Sequence, residues 1–163
     1  MSSSGGMGDQ NSDSEKGHTD DPRMRVVNYL WRKRILRKIQ IFGRINVSGG
    51  KLAKIIGNLE RTEGLRYCST DAKKMETFRL AEYPDSMLQI SSKGAIIMTV
   101  DYPEAFWILY KILLNAIWFT GESHHVLTPL TARIYRVEKY PVKSREDVIS
   151  LLMHQTIVGA KKE

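Results

Sequence analysis

The chain has 163 residues, with 25 Lys and Arg against 18 Asp and Glu and a formal net charge of +7. With 42% hydrophobic residues, that length suits one domain with its own core. A single cysteine, Cys68, excludes an internal disulfide, and the Ser/Gly/Asp-rich N-terminus does not read as a secretory signal, so an intracellular setting (cytoplasmic or nucleoid/nuclear) is expected.

In chain order, residues 1–22 are polar and hold five acids and one Lys, which predicts a disordered acidic tail. The next segment, residues 23–44 (RMRVVNYLWRKRILRKIQIFGR), carries eight Lys and Arg and no acid. Val27, Leu30 and Trp31 recur there at helical spacing, predicting a short basic helix to about residue 34. Residues 37–47 turn to period-two alternation of β-branched side chains, a strand. Ser48-Gly49-Gly50 breaks it before a helix over 51–60 that places Leu52, Ile55, Ile56 and Leu59 on one face and ends by Gly64.

Strand signals follow at 66–69 and at 75–83, where Phe78 and Leu80 lie on one side and Thr77, Arg79 and Ala81 on the other. Pro84-Asp85-Ser86 reads as a turn, and residues 87–92 and 95–100 flank Lys93-Gly94 as a hairpin. Asp101 reads as the N-cap of a helix over 102–119, with Pro103 in the first turn, Glu104 three residues on and a stop near Gly121. A loop with His124, His125 and Pro129 leads to a strand over 132–139. A helix from Ser144 to about 157 follows, with Ser144 and Asp147 as its cap pair. The organisation expected is a tail (1–22), a basic segment with an α+β core domain (23–121) and a strand-helix extension (122–163). The fold class is α+β: a curved antiparallel sheet with helices on one face.

The element order strand, helix, four strands, helix, together with RLAEYPDSMLQISSKGAIIMTV (residues 79–100), resembles one half-repeat of the TATA-box-binding protein family. The match lies in a strand ending at a proline turn, an apolar hairpin with a Ser/Lys/Gly tip, and a long helix from Glu104 onward. It spans about residues 35–119, a single repeat where the family has two, so a saddle would take a homodimer. The resemblance implies DNA binding on the sheet, with wedging phenylalanines that kink the duplex. The matching positions here fall near Lys74 and on Ile90, and Glu76 and Glu82 fall on a strand that would face DNA and repel phosphate.

Concentrated positive charge attracts phosphate backbones or acidic proteins. The candidate nucleic-acid contacts are Arg25, Arg32, Lys33, Arg34, Arg37, Lys38 and Arg44, with Phe42 interleaved and Trp31 read as a core anchor. The plain alternative is a solvated basic strand edge. The helix over 102–119 is apolar almost all round, so one face should pack on the sheet and another on the C-terminal unit or a second chain. Phe106, Trp107, Tyr110, Leu114 and Trp118 are its candidate interface residues. Its apolar core, residues 105–119 with Lys111 and Asn115 inside, is too short to span a membrane.

The remaining motifs read as structure. His124-His125 lacks metal-ligand spacing, Cys68 reads as buried and inert, and Ser48-Gly49-Gly50-Lys51 lacks the full phosphate-loop pattern. Glu76, Glu82, Asp85 and Glu104 form no acid–base pair. The expectation is a non-enzymatic binding protein, without cofactor or small-molecule substrate, that takes nucleic acid with DNA favoured over RNA. The alternative is an assembly subunit whose helix over 102–119 meets a protein partner or a second copy.

Overall fold

Alternating apolar residues build seven strands, and the seven form one antiparallel sheet. A computed structural model describes residues 22–32, 38–47, 49–70, 74–134 and 138–162. The strands are β1 (Ile39–Arg44), β2 (Leu65–Thr70), β3 (Met75–Leu80), β4 (Met87–Ser91), β5 (Ala95–Val100), β6 (Leu130–Ile134) and β7 (Glu138–Val142). Their order is β2-β3-β4-β5-β1-β6-β7, and every neighbouring pair is antiparallel. The helices are α1 (Pro22–Arg32), α2 (Gly50–Glu60), α3 (Pro103–Trp118) and α4 (Arg145–Lys162), with a 3-10 turn at His124–Val126.

The inward set of each strand meets the helices in a single core. Ile39, Ile41, Phe78, Leu88, Ile90, Ile96, Met98 and Ala132 bury against Leu52, Ile55 and Leu59 of α2 and Phe106, Leu109 and Leu113 of α3. Val148, Ile149 and Leu152 of α4 and Met24 and Val27 of α1 complete it. The helices therefore share one face of the sheet, and the opposite set of strand residues stays out of that core. Among the described residues, no helix is long and apolar enough to cross a membrane.

Local chemistry sets the element ends. The β4–β5 hairpin forms as expected: Ser91 Oγ accepts from the Lys93 and Ala95 amides at 3.2 and 3.0 Å, and Gly94 turns at φ +90°. The Gly94 carbonyl accepts from the Ile45 amide at 2.8 Å, which ties the hairpin tip to the chain beyond β1. At the start of α4 the Ser144 hydroxyl accepts from the Asp147 amide at 3.4 Å. The Asp147 carboxylate accepts from the Lys143 and Ser144 amides at 2.7 and 3.2 Å, a reciprocal cap.

Three expectations change. The cap of α3 is Tyr102, with no side-chain cap bond, because Asp101 is engaged elsewhere: its carboxylate accepts from the buried Ser86 hydroxyl, which in turn accepts from the Asp101 amide. In place of the single strand expected over 132–139 stand two antiparallel strands, β6 and β7, and residues 135–137 lie outside the described residues. Pro141 is tolerated because β7 is an edge strand, where a missing amide breaks no ladder on the outer side. The strand expected over 75–83 stops at Leu80, because the chain turns there: the Ser86 amide donates to the Tyr83 carbonyl at 2.9 Å and the Leu80 amide to the Ser86 carbonyl at 3.3 Å.

Candidate nucleic-acid interface

Successive strand residues point to opposite faces, so burying one set against the helices presents the other set as a surface. Backbone register aligns that surface into rows. One row crosses four strand junctions as Arg66, Arg79, Met87, Thr99 and Gln40. The next runs Thr77, Gln89, Ile97, Phe42, Thr131 and Pro141. A third pairs Met75 with Ser91 and Ala95 with Arg44.

The face is therefore uncharged and partly apolar at its centre, with arginines at two corners. Ile97, Phe42 and Met87 are half-buried there, and Gln89 Nε2 donates to Thr77 Oγ1 at 3.4 Å. Arg66 and Arg79 stand directly opposite one another on neighbouring strands. Arg79 Nη1 donates to the Pro84 carbonyl and Arg44 Nη1 to the Lys93 carbonyl, each at 2.9 Å. Among the described residues none of these three arginines has a carboxylate partner. Thr99, 6% exposed in the middle of the first row, keeps a buried hydroxyl with no hydrogen-bond partner.

Among the described residues of the basic segment, the cations lie apart. Arg25 and Arg32 are exposed on α1, which packs on α4, on the helix side of the sheet. Arg32 lies near enough to Tyr102 to favour its ionised form. Lys38 is exposed just before β1 and Arg44 at its far end, about 20 Å away by strand rise. Lys33, Arg34 and Arg37 lie outside the described residues, as does the Trp31 side chain.

The positions taken from the family resemblance also move. Ile90 is fully buried on the helix side and is unavailable as a wedge. Glu76 pairs in register with Ile90, so it too sits on the helix side, where its carboxylate accepts from the Tyr67 hydroxyl at 2.6 Å. Glu82 follows the end of β3. Glu76 is thus turned away from the open face. No known protein family, curated protein or solved structure matches this chain.

The candidate interface residues of α3 divide. Phe106 is fully buried in the chain's own core. Trp107, Tyr110 and Leu114 are half-buried, with Trp107 under the Arg145 guanidinium at 5.1 Å and Phe106 stacked on Tyr110 at 5.5 Å. Only Trp118 of the set is exposed, at 68%. The sheet, α2 and α4 cover most of the helix, which explains its apolar circumference without a second chain.

His124 and His125 border a shallow pocket of about 300 Å³ with Tyr110 and Lys143. Among the described residues no group of His, Cys, Asp and Glu is placed to hold a metal. Cys68 is exposed, at a bulge where the β2–β3 register shifts, and not buried as its sequence context suggests. Sequence reasoning missed Arg66 and Thr99. Placing Arg79 opposite Phe78 and Leu80 was a usable signal, but pairing it with Arg66 needed the register of β2.

Proposed function

We propose that the chain is a non-enzymatic nucleic-acid-binding protein that lays the open sheet face against the nucleic acid, with duplex DNA favoured. The carrying observation is the cross-strand pair Arg66 and Arg79. Like charges directly opposite on a sheet destabilise it, and a phosphate between them converts that cost into affinity. Arg44 at the far corner offers a second phosphate contact. The uncharged centre, with Gln89, Phe42 and Ile97 half-buried, suits base edges and sugars, which carry no net charge. Lys38, exposed just before β1, adds sequence-independent attraction from the margin.

The order strand, helix, four strands, helix over residues 39–118 supports reading this unit as a TATA-box-binding-protein-like repeat. Wedging on this chain would fall to Ile97, Phe42 or Met87 rather than Ile90. The test is binding of duplex DNA and single-stranded RNA across a salt series. Joint replacement of Arg44, Arg66 and Arg79 by Ala should reduce the salt slope by about 2, at about 0.9 for each of the two phosphates lost. Tight binding to duplex with that loss supports the reading. Full affinity in the triple variant, or no binding at low salt, removes it.

A further inference from the structure

A pocket of about 300 Å³ opens beside β6 and β7, and its lining is rich in hydrogen-bond donors. Tyr110 comes from α3, His124 and His125 from the 3-10 turn, Thr128 from the segment before β6 and Lys143 from the residue after β7. The two imidazole rings stand 4.2 Å apart. No Asp or Glu lines the pocket. Among the described residues, no protein acceptor takes the phenol, either imidazole, the ammonium or the Thr128 hydroxyl proton. Two acids stand nearby, and each is engaged elsewhere. The Asp147 carboxylate accepts from the Lys143 and Ser144 amides, and Glu122, which borders the next cleft with His124, pairs with Lys51 at 3.4 Å.

The donors are held on fixed backbone. Ser123 Oγ accepts from the His125 amide at 3.1 Å and caps the turn. The Val126 carbonyl accepts from the Asn46 amide at 2.7 Å, and the Thr128 amide donates to the Arg44 carbonyl at 2.9 Å, so the turn is tied to the chain at the end of β1. Thr128 Oγ1 accepts from the Arg44 amide at 2.9 Å, which leaves its own proton for a ligand. The Lys143 amide is fixed on Asp147, and Val142 beside it is buried. Tyr110 is stacked on Phe106 at 5.5 Å, which holds its ring. Segments far apart in the chain thus bring three groups able to carry positive charge and two hydroxyls around one opening, on backbone that needs little reordering when a ligand arrives.

Donors in excess, with no acid among them, recognise an oxyanion. A carboxylate offers two oxygens and a single negative charge. A phosphomonoester offers three acceptor oxygens and a charge approaching −2, the closer match to two imidazoles and an ammonium. The volume lies at the small end of ligand pockets, which run from about 300 to 1,000 Å³. Leu127 and Pro129 add an apolar wall, which suits the organic group of an ester. We propose that this pocket binds a small phosphomonoester, its phosphate on His124, His125 and Lys143 and its organic group against Leu127 and Pro129. Arg44, Arg66 and Arg79 do not line the pocket, so the site stands independently of nucleic-acid binding on the open sheet face.

The test is isothermal titration calorimetry of the full chain with phenyl phosphate at constant ionic strength. One saturable site per chain is expected. Benzoate and inorganic phosphate should each bind at least about tenfold more weakly, since the first lacks an oxygen and a charge and the second lacks the organic group. K143M, and separately H124A/H125A, should each lose at least about tenfold in affinity, the worth of a charge-assisted hydrogen bond. Thermal unfolding of the free variants should match the wild type, because all three side chains are exposed. Joint replacement of Arg44, Arg66 and Arg79 by Ala should leave the affinity unchanged. The proposal is overturned by no saturable binding at about 10 mM, or by undiminished binding in either K143M or H124A/H125A. Benzoate or inorganic phosphate binding as tightly, or loss of binding in the arginine triple variant, overturns it equally.

Discussion

Ser86 is fully buried in the turn between β3 and β4, and its hydroxyl both donates to the Asp101 carboxylate and accepts from the Asp101 amide. Ser86→Ala strands that carboxylate and should cost about 1–3 kcal/mol in denaturant unfolding. Gly94 takes φ +90°, and a Cβ there would run into the Ile45 carbonyl oxygen. Gly94→Ala should therefore cost about 2–3 kcal/mol, since both the dihedral and the contact are unfavourable. Burial pushes the Tyr83 hydroxyl pKa up, helped by Glu104, Glu82 and Asp101; burial and then Asp101 do the same at Tyr102, opposed by Arg32. Above about pH 10 the unfolded chain releases these protons first, so stability present below that pH is lost as pH rises through the window. The Tyr83→Phe, Tyr102→Phe variant should flatten that alkaline fall in the unfolding midpoint.

Helices α3 and α4 are joined by a polar clasp over an aromatic ring. Arg145 Nη1 lies 3.3 Å from Glu104 Oε2 and its guanidinium 5.1 Å from the Trp107 ring centre. A double-mutant cycle between Arg145→Ala and Trp107→Leu should give a coupling of about 0.5–1 kcal/mol, and additive effects would discard the cation–π contact. The reciprocal cap at Ser144 and Asp147 orders the first turn of α4. Ser144→Ala should cost about 1 kcal/mol, read as a lower unfolding midpoint. Both devices tie the C-terminal extension to the rest of the layer, and β6 adds to it by pairing with β1.

Among the described residues, the helices occupy one face of a seven-stranded sheet and leave the other without a helix on it. Charge follows the same division: among the described residues Arg44, Arg66 and Arg79 on the open face have no carboxylate partner, while Glu76, Glu104 and Glu122 lie with the helices. Residues 1–21 hold a net charge of −4, so removing them leaves a chain of net +11. That deletion should tighten nucleic-acid binding most at low salt, where long-range attraction is least screened. Equal affinity of the two forms at low salt would discount any contribution of the acidic segment.

Most elements were legible in the sequence because each obeys a local rule. Period-two alternation marks β1, β3, β4 and β5, Lys93-Gly94 marks the hairpin, Leu52, Ile55 and Leu59 mark the buried face of α2, and Ser144 with Asp147 marks the start of α4. The eight-charge run is equally plain, and it identifies an attraction for anions. Its use as a single site is not local, because β1 carries Arg44 away from Arg32 by the length of a strand. Asp101 has the chemistry of a cap, and only the proximity of Ser86, fifteen residues earlier, diverts it. The sequence by itself determined which residues alternate and where charge gathers. Tertiary structure alone decided which side of each strand is covered and which arginines stand opposite one another, because strand register depends on partners far apart in the chain.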